Sequence, residues 1–266
     1  MNMLKDKVAV ITGGGSGFGR AGAVRFASEG AKVLVADINE EGLKETVAMV
    51  KQIGGEADYI KTDVRSADDC EQMVKKAAER WGKLDIIWNN AGIQGESDLD
   101  IAHCPLDMID RYMDVNVKGV WYGCRFAAPY LVKSKGVILN TSSIVATQGT
   151  RGCSTYGTSK GAVRNLTYVV ANELGRYGVR ANCISPYCVA TPGTLGLGED
   201  FLRNLESGTA LKRLPTVEEI INVAFWLVSP ESSGVSGFDF RIDMGSAVRS
   251  MPSNMKQFSV DNSYEL

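Results

Sequence analysis

A tyrosine and a lysine stand four residues apart in the segment STYGTSKGAV, which covers residues 154–163. Residues at that spacing share one face of a helix, and the apolar Val163 continues the same face. A free phenol with a pKa of about 10 is roughly 0.1% ionised at pH 7. A unit charge about 4–5 Å away would lower that pKa by roughly two to three units at an effective dielectric of about 20. Tyr156 beside Lys160 is therefore a candidate general base, provided that water is kept away from the pair.

The spacing of this tyrosine and lysine can arise by chance, so the residues around them matter. Ser143 ends the predicted fifth strand, in NTSSIVA, thirteen residues before Tyr156. A hydroxyl at that strand end could donate a hydrogen bond to a carbonyl or alkoxide oxygen of a substrate. Ser142 is rejected for this role, because adjacent strand residues point to opposite faces of a sheet.

Asn116, in MDVNVKGVW, is a candidate for a supporting role. It lies where a helix could be locally interrupted, and its amide could hold a water molecule that relays protons to Lys160. The alternative is a buried amide that pairs with backbone groups. The sequence does not separate these two interpretations.

Glycines crowd the end of the first predicted strand, in ITGGGSGFGRAG. Gly13, Gly17 and Gly19 bracket a tight turn into a helix, where side chains would keep the backbone away from a pyrophosphate. Free N–H groups at the helix start would meet that anion, helped by the helix dipole. A structural turn would also use glycine, but the position directly after the first strand favours a dinucleotide site.

An acidic residue ends the second predicted strand, eighteen residues after Gly19. Asp37 at that place is typical of a carboxylate that accepts hydrogen bonds from an adenosine ribose. It would repel a 2′-phosphate, and its neighbours Ser16 and Ile38 supply no positive charge, so NAD(H) is predicted over NADP(H). The alternative is a helix N-cap, which Asp37 or Asn39 could supply.

Short apolar runs alternate with helical patterns along the whole chain. Predicted strands lie at 7–12, 31–37, 57–61, 84–88, 136–141, 179–184 and 238–242, and predicted helices at 17–30, 39–53, 66–82, 107–134 in one or two pieces, 155–177 and 216–229. Most of the strands lack two-residue alternation, which indicates burial on both faces. The pattern predicts a single α/β domain over residues 1–266, a doubly wound (Rossmann) parallel sheet of about seven strands with helices on both faces. The Gly- and Leu-rich segment 191–215 is expected to leave the sheet on the substrate side.

The overall composition excludes several classes of protein. Apolar residues make up 44% and charged residues 23% of the chain, as in ordinary soluble globular proteins. The net charge of −2 gives no footprint for nucleic acid or an anionic membrane. The N-terminal segment has no secretory or membrane-spanning pattern, and the six cysteines fall in no CxxC or Cys/His pattern, so a reduced, cytoplasmic chain is expected. The single histidine, His103, cannot form a metal site alone.

In combination, these motifs resemble those of the classical short-chain dehydrogenase/reductase family. The resemblance rests on TGGGSGFG, NNAG at 89–92, Asn116, Ser143, YGTSK and ISPYCVATPG at 184–193. The motifs follow one another in the family's order, from about residue 3 to residue 248. The resemblance implies an oxidoreductase in which hydride moves to or from a nicotinamide cofactor.

The resemblance also implies a role for each matching residue. The catalytic tetrad would be Asn116, Ser143, Tyr156 and Lys160. Tyr156 would exchange a proton with the substrate oxygen, Ser143 would hold that oxygen, and Lys160 would bind the nicotinamide ribose and lower the pKa of the tyrosine. The cofactor contacts implied beside the last two are Gly13, Ser16, Gly17, Phe18, Gly19, Asp37, Asp63, Val64, Asn90, Val189 and Thr191.

Within that set, each part of the cofactor has its own implied neighbours. Asp63 and Val64 would border the adenine, and Asn90 would lie near the adenosine ribose. Val189 and Thr191 would contact the nicotinamide amide.

Three positions depart from the family pattern. Tyr187 stands where a glycine usually follows the proline, and its ring would shape the substrate pocket or reposition the following loop. The sequence IDMG at 242–245 replaces the more usual Asp-Gly-Gly, and Phe18 stands where a smaller aliphatic residue is common. None of these changes removes a catalytic group.

The residues expected to line the substrate pocket are mostly apolar. They are Gln94, Ser143, Ile144, Val145, Gln148, Cys153 and Tyr187, with Leu195, Leu197, Phe201, Leu202 and Leu205 in the loop 193–214. This set favours a hydrophobic secondary alcohol or ketone of the hydroxysteroid or terpenoid type over a phosphorylated or carboxylate-headed sugar. The alternative is that the leucines pack an amphipathic loop helix.

Two other functions stay open. One is a 3-oxoacyl-thioester reductase of fatty-acid synthesis, which usually implies NADPH and a basic docking surface; Asp37 and the charge balance argue against it. The other is a nucleotide-binding scaffold or sensor without turnover, which has no need for the Tyr/Lys pair opposite Ser143. The long helices at 107–134 and 155–177 resemble those that pair subunits in the family, which implies a homotetramer or homodimer.

Overall fold

The computed structural model describes residues 2–94, 101–191, 194, 196 and 198–248. The strands are β1 Val8–Thr12, β2 Lys32–Asp37, β3 Glu56–Lys61, β4 Ile86–Asn89, β5 Val137–Thr141, β6 Arg180–Pro186 and β7 Asp239–Ile242. All are parallel, in the order β3-β2-β1-β4-β5-β6-β7. The order reverses between β1 and β4, and the crevice outside the carboxyl ends of the strands there is where open α/β sheets bind ligands. The prediction of a doubly wound parallel sheet is confirmed.

Helices cover both faces of this sheet. They are α1 Gly17–Ser28, α2 Glu40–Gln52, α3 Ala67–Trp81, α4 Leu106–Tyr112, α5 Gly119–Ser134, α6 Ser154–Gly175, α7 Glu199–Ser207 and α8 Val217–Val228. One hydrophobic core joins α1, α2 and α8 to the sheet, and a second joins α3, α5 and α6 to the opposite face. In β1, Ile11 belongs to the first core and Val10 to the second. Because successive strand residues feed opposite cores, the strands are apolar on both faces.

The ends of several helices follow the capping rules that the sequence suggests. The side chain of Asn39 accepts a hydrogen bond from the backbone N–H of Gly42 at 3.2 Å and caps α2. Thr216 and Glu219 form a reciprocal capping box at the start of α8. Of the two candidates for the α2 cap, Asn39 takes that role, which leaves the carboxylate of Asp37 for other partners.

The predicted helix over 107–134 is continuous but contains one irregular segment. A π-helix, Met113–Lys118, joins α4 to α5 without a break. Such wide turns are often found at functional sites. Asn116 lies within this segment and is completely buried.

The excursion predicted at 191–215 contains the short helix α7. Phe201 is 46% exposed, and Leu202 and Leu205 are half-buried, three residues apart and therefore on one face of the helix. This arrangement fits the alternative interpretation, in which these leucines pack an amphipathic loop helix. Leu195 and Leu197 lie outside the described residues.

The described part of the chain has neither an apolar helix long enough to cross a membrane nor a cluster of three metal-ligating side chains. All six cysteines carry free thiols, and Cys70, Cys124 and Cys183 are buried. Burial raises the pKa of Cys70 and of Cys124 to about 12. These two thiols are therefore poor nucleophiles at neutral pH.

Candidate active site

The candidate active site lies where the carboxyl end of β5 meets the first turns of α6. Ser143 has an extended backbone and caps a 3-10 turn, Ile144–Ala146, with its side-chain oxygen 3.4 Å from the backbone N–H of Val145. Ser142 points the other way, because its hydroxyl donates to the backbone carbonyl of Lys160 at 3.0 Å. Of the two serines, Ser143 is the one beside the tyrosine.

Tyr156 sits in the first turn of α6, with its hydroxyl 3.4 Å from the side-chain oxygen of Gln94 and its ring 5.9 Å from that of Tyr112. Burial raises the pKa of Tyr156 to about 12, and interaction with the hydroxyl of Ser143 acts in the opposite direction. In the chain by itself the net direction of the pKa of Tyr156 is thus opposite to the one expected, and the influence of Lys160 on it stays a prediction. The physical reason is that desolvation disfavours the phenolate more strongly than the nearby polar groups favour it.

Lys160 is buried, and its ammonium donates a hydrogen bond to the backbone carbonyl oxygen of Thr141 at 2.8 Å. Its nitrogen lies 5.8 Å from the centre of the Tyr156 ring, so the cation is held near the phenol while bonded to the end of β5. Burial lowers the pKa of Lys160 to about 8. At neutral pH the side chain is therefore still mostly charged, inside a poorly solvated site.

Asn116 clamps the loop after β4 to α6. Its side-chain oxygen accepts from the backbone N–H of Ile93 at 2.8 Å, and its amide nitrogen donates to the carbonyl of Ile93 at 3.1 Å and to the hydroxyl of Ser159 at 3.0 Å. Both amide hydrogens thus have protein partners, while the side-chain oxygen accepts one hydrogen bond and keeps a second lone pair, so a relay water toward Lys160 stays a prediction. The alternative, a buried amide that pairs with backbone groups, describes Asn116.

That clamp brings three parts of the chain together. A side chain on Gly92 would come within 3.1 Å of the Asn116 oxygen and 3.3 Å of the Lys160 nitrogen. The loop after β4 therefore passes directly over the lysine. Only a residue without a side chain fits there without displacing one of the two groups.

The glycine-rich turn after β1 is packed as tightly as the sequence suggests. A side chain on Gly19 would come within 2.1 Å of the carbonyl oxygen of Gly13, which itself has a left-handed φ of +67°. Gly17, at φ +51°, has open space on its side-chain side, and Ser16 does not cap the helix with its hydroxyl. The start of α1 thus has no side-chain cap, which leaves its first backbone N–H groups available for an anion such as a pyrophosphate.

Two residues brace this turn from α1 and α2, and sequence reasoning missed both. The hydroxyl of Thr46 donates to the carbonyl of Gly14 at 2.8 Å. The guanidinium of Arg20 donates to the carbonyl of Gly15, to Thr46 at 3.1 Å and to Glu45 at 2.6 Å. No local pattern could have revealed these contacts, because Thr46 follows Gly14 by 32 residues.

The carboxylate of Asp37 lies at the end of β2 against the same turn. It accepts hydrogen bonds from the backbone N–H groups of Gly15 and Asn39, each at 3.0 Å. Both bonds orient the carboxylate at the rim of the crevice, where a ribose could bind it. Lys61 is the partner of Asp37 in the sheet register, and the two described side chains form no ion pair.

Residues expected near the adenine half of a dinucleotide follow β3 and β4. Asp63 is ion-paired with Arg65 at 2.6 Å, and this hydrogen-bonded partner lowers the pKa of the carboxyl group. Val64 is buried against Gly119, where a side chain would come within 2.9 Å of it. Asn90 is fixed by Thr12, whose hydroxyl accepts from the Asn90 backbone N–H at 3.0 Å and whose carbonyl accepts from its side chain at 3.1 Å.

The residues that follow β6 hold the segment 191–215 in place. Val189 is buried in the first core, and the hydroxyl of Thr191 lies 3.0 Å from that of Thr194. The hydroxyl of Tyr187 donates to the carbonyl of Leu205 in α7 at 3.2 Å. The larger side chain at 187 therefore anchors the loop helix, which fits the second of the two effects expected for it.

Comparison with known proteins identifies the class to which this site belongs. Residues 13–247 match the family model described as enoyl-(acyl carrier protein) reductase. The chain belongs to the classical short-chain dehydrogenase/reductase family, and it is an oxidoreductase of that family.

Three proteins illustrate what this chain is similar to. The chain is 36% identical over 256 residues to (+)-borneol dehydrogenase 2 of Salvia officinalis, which spans 91% of this chain and 89% of the relative. Among solved structures, levodione reductase matches with a TM-score of 0.87 at 33% identity, covering 92% of this chain and 99% of that one. NAD+-bound xylitol dehydrogenase matches with a TM-score of 0.86 at 29% identity, covering 91% and 99%.

Proposed function

We propose that the chain uses NAD(H) to interconvert a secondary alcohol and a ketone, and that its substrate is a hydrophobic alicyclic compound. The observation that carries the proposal is the grouping at the end of β5. There the hydroxyl of Ser143 acts on the phenol of Tyr156, while the carbonyl of Thr141 holds the buried ammonium of Lys160. A phenol, a hydroxyl and a cation collected in one desolvated place suit proton exchange with a carbonyl or alkoxide oxygen.

The residues present fit a nicotinamide dinucleotide. The uncovered helix start at Gly17 would receive the pyrophosphate, Asp37 the adenosine ribose and Lys160 the nicotinamide ribose. Lys160 has no carboxylate partner among the residues described, so its charge is free to act on a ligand. When bound, the oxidised cofactor supplies the hydride acceptor and a positively charged ring.

The preference for NAD(H) rests on the charges around Asp37. Its carboxylate binds the backbone of the glycine-rich turn, and the guanidinium of Arg20, which braces the same turn, is already occupied by Gly15 and Glu45. Lys61, which pairs with Asp37 in the sheet register, forms no ion pair with that carboxylate. The cost of placing a phosphate against an unpaired carboxylate favours the cofactor that lacks it.

The proposed roles within the cluster follow from the contacts. Ser143 would donate a hydrogen bond to the substrate oxygen, and Tyr156 would pass the proton to or from that oxygen. Lys160 would stabilise the phenolate that forms when the tyrosine gives up its proton. Asn116 would act indirectly, because it holds the loop at Ile93 against α6 through Ser159.

The proposed substrate class rests on the lining and on the relatives. Ile144 is buried and Val145 half-buried, directly after Ser143 in the chain. Borneol is a bicyclic terpenoid alcohol, and the chain resembles an enzyme named for its oxidation. The xylitol dehydrogenase neighbour acts on a polyol, so this second class belongs in the test.

Initial rates with purified protein test the proposal. The panel contains a monoterpenoid alcohol, a hydroxysteroid, a polyol and a 3-oxoacyl thioester, each with NAD(H) and with NADP(H). We expect the largest kcat/KM for an alicyclic alcohol or ketone with NAD(H). Preference for the thioester with NADPH would replace the proposal with the fatty-acid reductase alternative, and cofactor binding without any turnover would favour the scaffold.

We also propose a homo-oligomer, dimer or tetramer, in the cytoplasm. Support for the oligomer comes from apolar side chains on the outer faces of α5 and α6, where Trp121 is 48% and Val169 43% exposed. Sedimentation velocity at micromolar concentration tests it, and a monomer alone would contradict it. Fluorescence imaging of a tagged chain tests the location.

A further inference from the structure

A polar cavity of about 540 Å³ lies beside the candidate active site but does not include it. The lining residues are Thr147, Gln148, Gly149, Thr150, Arg151, Arg241, Ser246 and Ala247. They come from the loop that follows the Ile144–Ala146 turn and from the end of β7 with the turn after it. The cavity is large enough for a small organic ligand.

Two guanidinium groups face this cavity without a partner. Within the described ranges, the side chains of three arginines form no ion pair, hydrogen bond or ring contact, and these are Arg125, Arg151 and Arg241. Each of the other described arginines has a partner, as Arg164 does in Asp239 and Arg180 in backbone carbonyls. Two of the three unpaired arginines thus line one cavity, although their charges repel each other there.

The groups around the two arginines leave the cavity positively charged. The carboxylate of Asp243, two residues after Arg241, accepts hydrogen bonds from the backbone of Gly245 and Ala247 and from the hydroxyl of Ser246, each at 3.1 Å. It forms no ion pair with either arginine. The hydroxyl of Ser246 also lies 3.4 Å from the amide nitrogen of Gln148. With the carboxylate held by its own turn, the guanidinium N–H groups are left to bind a ligand.

We propose that Arg151 and Arg241 form a binding site for the oxyanion of a small molecule, a carboxylate or a phosphate. Guanidinium groups bind such anions through paired N–H donors, and two of them match the charge of a phosphate. Gln148, one of the residues expected to line the substrate pocket, also lines this cavity. The anion can therefore belong to the substrate or to a separate ligand.

Calorimetric titration tests the site directly. Inorganic phosphate and acetate are titrated into the full chain, into the double variant R151Q/R241Q and into R125Q at constant ionic strength. R125Q is the matched control, because Arg125 is equally unpaired but lies on α5. We expect binding of phosphate or acetate to the unmodified chain and to R125Q, and at least about tenfold weaker binding to the double variant.

Equal binding by all three proteins, or binding of neither anion to the unmodified chain, would overturn the proposal. Thermal unfolding of each variant, at matched conditions, checks that the double variant is folded. If it is not, the single variants R151Q and R241Q replace it, and each must weaken binding. None of these readouts depends on turnover, so failure of the site is distinguishable from failure of the proposed function.

A second experiment identifies whether the anion belongs to the substrate or to a separate ligand. This experiment rests on the proposed function, because it measures turnover. It compares KM for an alicyclic alcohol with KM for the same alcohol bearing a carboxylate. A lower KM for the carboxylate compound that disappears in R151Q/R241Q assigns the anion to the substrate. Phosphate or acetate binding with no such difference in KM assigns the site to a separate ligand.

Discussion

The ammonium of Lys160 donates to the backbone carbonyl of Thr141 at 2.8 Å, and not to the phenol four residues before it. Since Ser143 follows Thr141 by two residues, the end of β5 positions both the lysine and the serine of the cluster. The loop that contains Gly92 passes over Lys160, and Asn116 holds this loop by its hydrogen bond to Ile93. Together they close the site from the other side. The ammonium of Lys160 is therefore held by the sheet. Its burial costs folding free energy, and that cost can be measured.

Replacing Lys160 with methionine should stabilise the fold at neutral pH while removing activity. The pKa falls from 10.5 to about 8 on folding, which corresponds to a cost of about 3 kcal/mol at pH values below 8. The lost hydrogen bond to Thr141 offsets about 1–2 kcal/mol of that gain, so the variant should be more stable by roughly 1–2 kcal/mol at pH 7. Turnover should fall, because the phenolate loses its counter-charge.

The difference in stability between Lys160→Met and the unmodified chain should depend on pH in a definite direction. The pKa of Lys160 is lower in the folded than in the unfolded chain, so the unfolded chain binds more protons and stability rises with pH between about 8 and 10.5. Lys160→Met lacks that rise, and its advantage should shrink from pH 7 to pH 10. Urea unfolding at both pH values measures it, with the exposed Lys133→Met as control. This account would be contradicted if Lys160→Met were no more stable than the unmodified chain at pH 7, or if its extra stability grew toward pH 10.

Tyr156→Phe should lower turnover by at least about 10²-fold, the scale of general acid–base catalysis. Cofactor affinity should change little, because the ring and its contact with Tyr112 are retained. Stopped-flow or steady-state rates measure the first effect, and fluorescence titration with NADH the second. Tyr177→Phe, on an exposed tyrosine after α6, is the control. Near-normal turnover in Tyr156→Phe would exclude the proton-transfer role.

Asp37→Ala should reduce the preference for NAD+ over NADP+, measured as the ratio of the two kcat/KM values, by about tenfold or more. The carboxylate that would repel a 2′-phosphate is then gone. Asn39→Ala is the matched control: it removes the cap of α2 and costs about 1 kcal/mol of stability, yet it leaves the carboxylate in place. An unchanged ratio in Asp37→Ala, or an equal change in both variants, would refute the assignment.

Tyr187→Phe should loosen α7, because it removes the hydrogen bond to the carbonyl of Leu205. A single bond of this kind contributes about 1 kcal/mol, so KM for a bulky alcohol should rise several-fold while cofactor affinity stays the same. Limited proteolysis within 199–207 should become faster. If both KM and the cleavage rate match those of the unmodified chain, Tyr187 does not anchor the excursion.

Much of the fold could be predicted from the sequence because its signals act over short distances. Strand and helix periodicities repeat within a few residues, and the predicted elements agree with the observed ones to within a few positions, as for β1 and α6. The glycines at 13, 17 and 19 and the opposite orientations of Ser142 and Ser143 are equally local consequences of backbone geometry. The candidate cluster could be named for the same reason.

The tertiary structure decided which groups contact those residues and how deeply they are buried. Asn116 meets Ile93 and Ser159, Thr46 meets Gly14, and Tyr187 meets Leu205, all across separations that no periodicity encodes. Burial raises the pKa of Tyr156 to about 12, whereas the spacing to its lysine suggested the opposite direction. Desolvation and hydrogen bonding depend on every group packed around an atom, and most of those groups come from distant parts of the chain. The sequence by itself therefore determined which residues are candidates for the chemistry, and only the packed chain decided their surroundings and their hydrogen-bond partners.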